Sequence, residues 1–315
     1  MAGDKHPVIE HWSDLRIYVT VFEDPHAEVA TWIHYTAEDE AYMGRSHKDP
    51  DNMTLDKLAA GLVRLDDSDI YPEVSAAGPI TVAAKILDDS ATFIKHCGFR
   101  QYPPPKQLVE KGFKASLQKD GYTAKDQLLE KVLVMDKLSK TPHPYIVRYL
   151  GCRVHRGYIT GIVVERLIWD LSTYATKWPA EFAQLDKEAF LAGIESAVKF
   201  LHSLGMAHND MSPRNIMVRE DEDGYSSPVL IDFDSCAAFG GRLLCAGTPD
   251  FVDEDDPDMF VSLKRHDEYS LDRLREWWDK QLEGGPGGDE DTEDNKDKKG
   301  KEGKDSKEGN ENNQD

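Results

Sequence analysis

Apolar and polar residues alternate at strand period near the start of the chain. Leu15, Ile17, Val19 and Val21 are interleaved with Arg16, Tyr18 and Thr20. Glu23-Asp24-Pro25-His26 reads as a turn, and Glu28 to Thr36 as the returning strand. Thr54 then precedes Leu55, Leu58, Ala59, Leu62 and Val63, a helical spacing with Thr54 at the N-cap. Ile80 to Leu87 and Ala91 to His96 read as a hairpin around Asp88-Asp89-Ser90. A loop with Pro103-Pro104-Pro105 follows. Leu128, Leu129, Val132 and Met135 predict a helix over Lys125 to Leu138. Tyr145 to Cys152 and Tyr158 to Val164 are strand-like. Phe190 to Leu204 carries Phe190, Ile194, Ala197, Val198 and Leu201 on one helical face, with Gly205 as its C-terminal stop. Strands crowd the first half and a helix leads the second, an α+β pattern without internal repeats.

Composition changes this picture mainly at the C-terminus. Residues 284–315 contain no hydrophobic side chain, and their eleven acids against six lysines leave nothing to offset the entropy of ordering. A disordered charged tail is expected there. The whole chain of 315 residues carries 59 acidic against 38 basic side chains, a net charge of −21. That balance disfavours nucleic acid and anionic membrane surfaces as partners, since phosphate backbones need a basic face. No apolar run has the length of a spanning helix, and Met1 to His11 lacks a signal-peptide core. With no targeting code, the cytoplasm is the default location. Cys97, Cys152, Cys236 and Cys245 are scattered, without disulfide-scaffold or zinc spacing.

Chemistry concentrates between positions 208 and 234. His208-Asn209-Asp210-Met211-Ser212-Pro213-Arg214-Asn215 follows the long apolar helix, and Val229-Leu230-Ile231-Asp232-Phe233-Asp234 comes after it. The first run resembles the protein-kinase catalytic loop, H-x-D-x-x-x-x-N. The second resembles the D-F-G turn, with Asp in place of Gly. The resemblance implies Asp210 as the base that orients the attacking hydroxyl, and Asn215 and Asp232 as the oxygens that hold Mg²⁺ on ATP. It also makes Tyr158 to Leu167 the strand and hinge of an adenine site, with Val164 as gatekeeper and the backbones of Glu165 and Leu167 on the base. Gly247-Thr248-Pro249-Asp250-Phe251 is similar to the segment after a kinase activation loop. Asp267 is similar to the buried aspartate that ties down the catalytic-loop backbone. Asp69-Ile70-Tyr71-Pro72, Pro142-His143-Pro144-Tyr145-Ile146 and Leu201-His202-Ser203-Leu204-Gly205 resemble a group of small fungal kinase-like proteins.

The implied architecture is bilobal and kinase-like. It comprises an N-terminal extension over 1–61, a β-rich N-lobe over 62–165, a shortened helical C-lobe over 166–283 and the tail. The implied activity is ATP- and Mg²⁺-dependent transfer to a Ser or Thr hydroxyl of a protein. The sequence departs from the family pattern in several places. Lys95, in Thr92-Phe93-Ile94-Lys95, is favoured over Lys85, in Val82-Ala83-Ala84-Lys85, as the phosphate lysine, because it lies on the later strand. Its helical partner should be a glutamate, yet Lys131 stands at that position. Glu130 lies about 100° around the helix, so either the register shifts or the ion pair is missing. Ala76-Ala77-Gly78-Pro79 is poor material for a phosphate-cradling glycine loop. Asn209 replaces the arginine through which activation-loop phosphorylation usually acts. Ser212 replaces a lysine, as in RIO-type kinases, and an asparagine before the aspartate also occurs in choline and aminoglycoside kinases. These departures keep two other readings open: a nucleotide-binding pseudokinase, and a small-molecule kinase.

Overall fold

The computed structural model describes residues 7–20, 29–46, 53–83, 92–96, 118–119, 122–221, 224–243 and 247–283. The tail, the triple-proline loop, Cys97, Cys245, Lys85 and the expected turns at 23–26 and 88–90 lie outside them.

The chain begins with an antiparallel meander, β1 (Arg16–Thr20), β2 (Val29–Tyr35), β3 (Ala41–Ser46) and, after helix α1 (Leu55–Ala60), β4 (Val63–Arg64). The sheet therefore takes in residues just past position 61. Trp32, Tyr42, Leu58 and Leu62 form a small core beneath α1, while Ile33, Ala41 and Met43 join the main core. The Trp32 indole donates to the Leu58 carbonyl at 2.9 Å. Gly44 sits opposite Trp32 in register. A Cβ there would come within 2.1 Å of the ring, so the indole occupies the space a side chain at position 44 would need.

Buried Asp39 fastens this meander to the rest of the molecule. Its Oδ2 accepts from Thr160 Oγ1 and from Arg153 Nε, each at 2.8 Å. Its carbonyl accepts from Tyr71 Oη and Arg156 Nη2, each at 3.1 Å. Asp39 has a φ of 60°, which asparagine also tolerates. Asp39→Asn should therefore keep the backbone and weaken only the charged bonds. A loss of about 1–3 kcal/mol is expected in urea unfolding; an unchanged midpoint would show that the anchor is elsewhere.

A second sheet has the order β5 (Thr92–His96), β7 (Tyr158–Glu165), β6 (Tyr149–His155). Helix α2 (Ala124–Ser139), opened by a Thr123–Asp126 capping box, packs on it through Leu128, Val132 and Met135. Of the expected hairpin over 80–96, residues 84–91 lie outside the described ones. Val82 pairs in parallel with Cys152 of β6, whereas β5 pairs with β7, so the two segments flank opposite edges of the sheet. Alternation reveals that a segment is extended but not which strand it joins. Gly151 permits this close approach: its φ is 127°, and a Cβ would meet Ala83 N at 2.4 Å. Asp136 of α2 secures the same edge, accepting from Thr81 N at 2.9 Å and Thr81 Oγ1 at 2.8 Å. Burial opposes that charge, but the Thr81 bonds and Lys140 outweigh it and hold the carboxyl below its ordinary range.

The expected strand over Tyr145–Cys152 divides. Val147 N donates to Leu230 O and Leu230 N to Tyr145 O, so 145–147 leaves the second sheet and joins a third. That sheet comprises β8 (Trp169–Asp170), β9 (Ile216–Glu220) and β10 (Ser226–Leu230). Helix α3 (Lys187–Ser203) lies across it. Asp186 caps the helix N-terminus, and Gly205, at φ 72°, turns the chain after its end. Helix α4 (Lys264–Glu283) buries Asp267, Leu271, Leu274 and Trp278, with Trp278 against Phe182 and Phe190. The result is an α+β architecture of antiparallel sheets with one continuous principal core. Among the described residues, no helix is long and apolar enough to cross a membrane.

Candidate active site

The loop after α3 is built from its backbone outward. Asp267, fully buried, accepts from His208 N at 3.0 Å, Asn209 N at 2.8 Å and His202 Nε2 at 2.8 Å. Asn209 takes a left-handed φ of 62°. Its amide donates to Ala207 O, Ser235 O and Ser262 Oγ, stitching the loop to its neighbours. His208 Nε2 donates to Ile231 O at 2.9 Å, and Asp210 N reaches His208 Nδ1 at 3.4 Å. The Nε2–H tautomer satisfies both bonds. The same ring meets Phe233 edge-on at 5.0 Å.

Asp210 is held from two sides. Thr248 donates to its Oδ1 through both N (2.8 Å) and Oγ1 (2.7 Å). Asn215 Nδ2 donates to Asp210 O at 2.8 Å and to Oδ2 at 3.1 Å. Gly247 makes the Thr248 contact feasible: its φ is 89°, and a Cβ would lie 2.8 Å from Asn209 O. With the amide nitrogen of Asn215 turned to Asp210, its oxygen is the end left for a cation. Ile231 N donates to Asn215 O at 2.9 Å, which brings Asp232 beside the 208–215 loop. Asp232 itself has a φ of 62°. Such strain in a non-glycine residue costs of order 1–3 kcal/mol and gathers at functional sites.

Beside this loop lies a cavity of about 280 Å³. Val164, Glu165, Leu167, Ile162, Met217 and Asp232 are among its lining residues. Asp210 and Asn215 stand outside the lining and reach it through the Ile231 bond. The Glu165 carboxylate accepts from Arg148 N and Arg219 Nη2, and its own N–H goes to Arg148 O, so that N–H is not available to a base. A larger cavity of about 380 Å³ shares Glu165 in its lining and extends around His143, Arg148 and Phe200, without Asp210 or Asp232. Burial, then the Asp267 carboxylate, push the Cys236 thiol up, so it is a packed thiol rather than a nucleophile.

The structure removes one of the two alternatives left open for α2. Glu130 is exposed, so no register shift carries it inward. Lys131 is the inward residue, 5% exposed, and its Nζ pairs with Asp234. The helix keeps its period because Leu128, Val132 and Met135 fix the buried stripe. Lys95 occupies a register position opposite Ile162, on the outer strand of the second sheet. Thr248 and Gly247 are site residues that sequence reasoning placed only in a similar segment. Their signal was the Gly-Thr-Pro string itself.

Comparison with known proteins agrees with this geometry. Residues 110–239 match the model of the lipopolysaccharide kinase (Kdo/WaaP) family. Over 105 residues the chain is 34% identical to the serine/threonine-protein kinase/endoribonuclease IRE1 of Hypocrea jecorina, covering 32% of this chain and 8% of that protein. It is 36% identical over 74 residues to the serine/threonine-protein kinase DCLK1 of Rattus norvegicus, covering 23% of this chain and 17% of that one. It is 33% identical over 113 residues to dual specificity testis-specific protein kinase 2 of the same species, covering 34% and 18%. The chain thus spans less than a fifth of the length of each of these relatives. The catalytic-loop and Asp-Phe-Asp geometry and these matches define one class of protein. The chain belongs to the protein-kinase-like superfamily.

Proposed function

We propose that this protein transfers the γ-phosphoryl group of ATP to a hydroxyl, with a protein Ser or Thr as the first candidate acceptor. The observation that carries the reading is the bonded set of Asp210, Asn215 and Thr248, joined through Ile231 to Asp232 at the edge of the apolar cavity. In this reading the sheet β5–β7–β6 with α2 forms one lobe, the later helices and sheet form the other, and nucleotide lies between them. Adenine fits the apolar cavity, against the backbone from Glu165 to Leu167.

Phosphoryl transfer asks a protein chiefly for positioning and charge stabilisation. Asp210, steadied by Thr248 and Asn215, orients the acceptor hydroxyl and takes its proton. Asn215 and Asp232 offer an amide and a carboxylate oxygen, a donor set suited to Mg²⁺ with phosphate and water completing the shell. That ion, when bound, spreads the negative charge of the phosphates. The Thr248 clamp on Asp210 and the Gly-Thr-Pro-Asp-Phe run support a protein acceptor. The family match supports a second reading, in which a saccharide hydroxyl is phosphorylated.

Thermal-shift titration with Mg-ATP, followed by label transfer onto mixed peptides and onto saccharides, tests the proposal. Wild type should be stabilised by Mg-ATP, and Asp232→Ala should lose most of that shift. Peptide labelling favours the first acceptor, and saccharide labelling alone favours the second. Binding with no transfer to anything would make the protein a pseudokinase. No binding at all would end the reading.

A further inference from the structure

We propose that Lys131 is the cation that meets the nucleotide's phosphates, so that helix α2 supplies the charge expected from strand β5. The inference rests on the nucleotide reading above and deepens it. Lys131 lies on the buried stripe of α2, between Leu128 and Met135, where an ammonium is costly unless it has partners. It is only 5% exposed, yet it lines the cavity together with Asp232 and Phe233. Its Nζ pairs with Asp234, whose side chain is 44% exposed.

Two departures from the kinase pattern explain each other here. A lysine replaces the helical glutamate, and an aspartate replaces the glycine of the D-F-G turn. Each alone would be a defect: a buried charge without its counterpart, and an extra carboxylate beside the phosphates. Together they form an ion pair of the usual kind with its members moved. The cation comes from the helix and the acid from the turn after Phe233. A buried ion pair is weak evidence for a purely stabilising role, since an apolar pair of similar volume often serves stability as well. The place of this pair, at the Asp232 end of the cavity, suits a polyphosphate.

The test has two arms on the full chain. In the first, wild type is treated with an acyl-phosphate derivative of ATP, which acylates the amine nearest the phosphates and releases ATP. Peptide mapping should find the label on Lys131, suppressed by free Mg-ATP. Label confined to Lys95 or to another lysine would overturn the proposal, and this arm needs no variant. In the second, Mg-ATP and adenosine affinities are measured for wild type, Lys131→Met, Lys131→Arg and Lys95→Met. Lys131→Met should weaken Mg-ATP roughly ten- to hundred-fold and leave adenosine unchanged, and Lys131→Arg should recover most of the loss. Unchanged Mg-ATP affinity in Lys131→Met, with the loss in Lys95→Met instead, would overturn the proposal while leaving the nucleotide site intact. Wild type that binds neither ligand would remove the nucleotide reading and this inference with it.

Discussion

Asp267→Ala is expected to lower stability by about 3–5 kcal/mol, a large fraction of what a domain commonly has. The carboxylate is fully buried and receives two backbone N–H groups, of His208 and Asn209, and the imidazole of His202. Alanine leaves all three donors buried with no acceptor, and each such group costs about 1–3 kcal/mol. Asp267→Asn retains one acceptor oxygen and should fall between alanine and wild type. Chemical denaturation reads the difference directly. A change in Asp267→Ala no greater than that of an exposed substitution would mean that the loop is held by other contacts. Because the loop carries Asp210, transfer should fall along with stability.

The second large effect separates chemistry from folding. Asp210→Asn should reduce phosphoryl transfer by about 10²–10⁴-fold, the usual span for a positioned acid–base group. Asparagine keeps an oxygen for the Thr248 donors, so the thermal midpoint and Mg-ATP affinity should stay near those of wild type. In steady-state kinetics the loss should appear in kcat, with KM for ATP little altered. Transfer at the wild-type rate would remove Asp210 from the mechanism, whatever its hydrogen bonds.

The candidate site was legible in the sequence to the extent that it is local. His208, Asp210 and Asn215 share one loop, and Asp232 ends an apolar strand, so order and spacing along the chain were enough to single them out. Helix α2 was also legible, because Leu128, Val132 and Met135 repeat at its period. Lys131 showed up only as a misfit. Its counterpart, Asp234, lies on a distant turn, and helical spacing carries no information about such a partner. Which strands the described residues around Val82 and Lys95 join was not legible, for a related reason. Two extended runs near each other in sequence suggest a hairpin, yet β6 and β7 compete for them, and non-local register is decided by packing. Thr248 belongs to a loop far from Asp210 along the chain, and only the left-handed turn at Gly247 brings it there.

The Asp39 anchor bears on how the molecule can be divided. A fragment trimmed to begin at residue 62, where the kinase resemblance starts, would shed that carboxylate and leave Thr160, on the central strand of the second sheet, buried without its acceptor. Arg153 would lose its counter-charge at the same seam, and Arg156, while keeping Asp67, would lose its carbonyl partners. Ile33, Ala41 and Met43 would no longer cover their share of the main core. The described residues among the first sixty therefore help to cover the second sheet, and a minimal folded fragment has to include them.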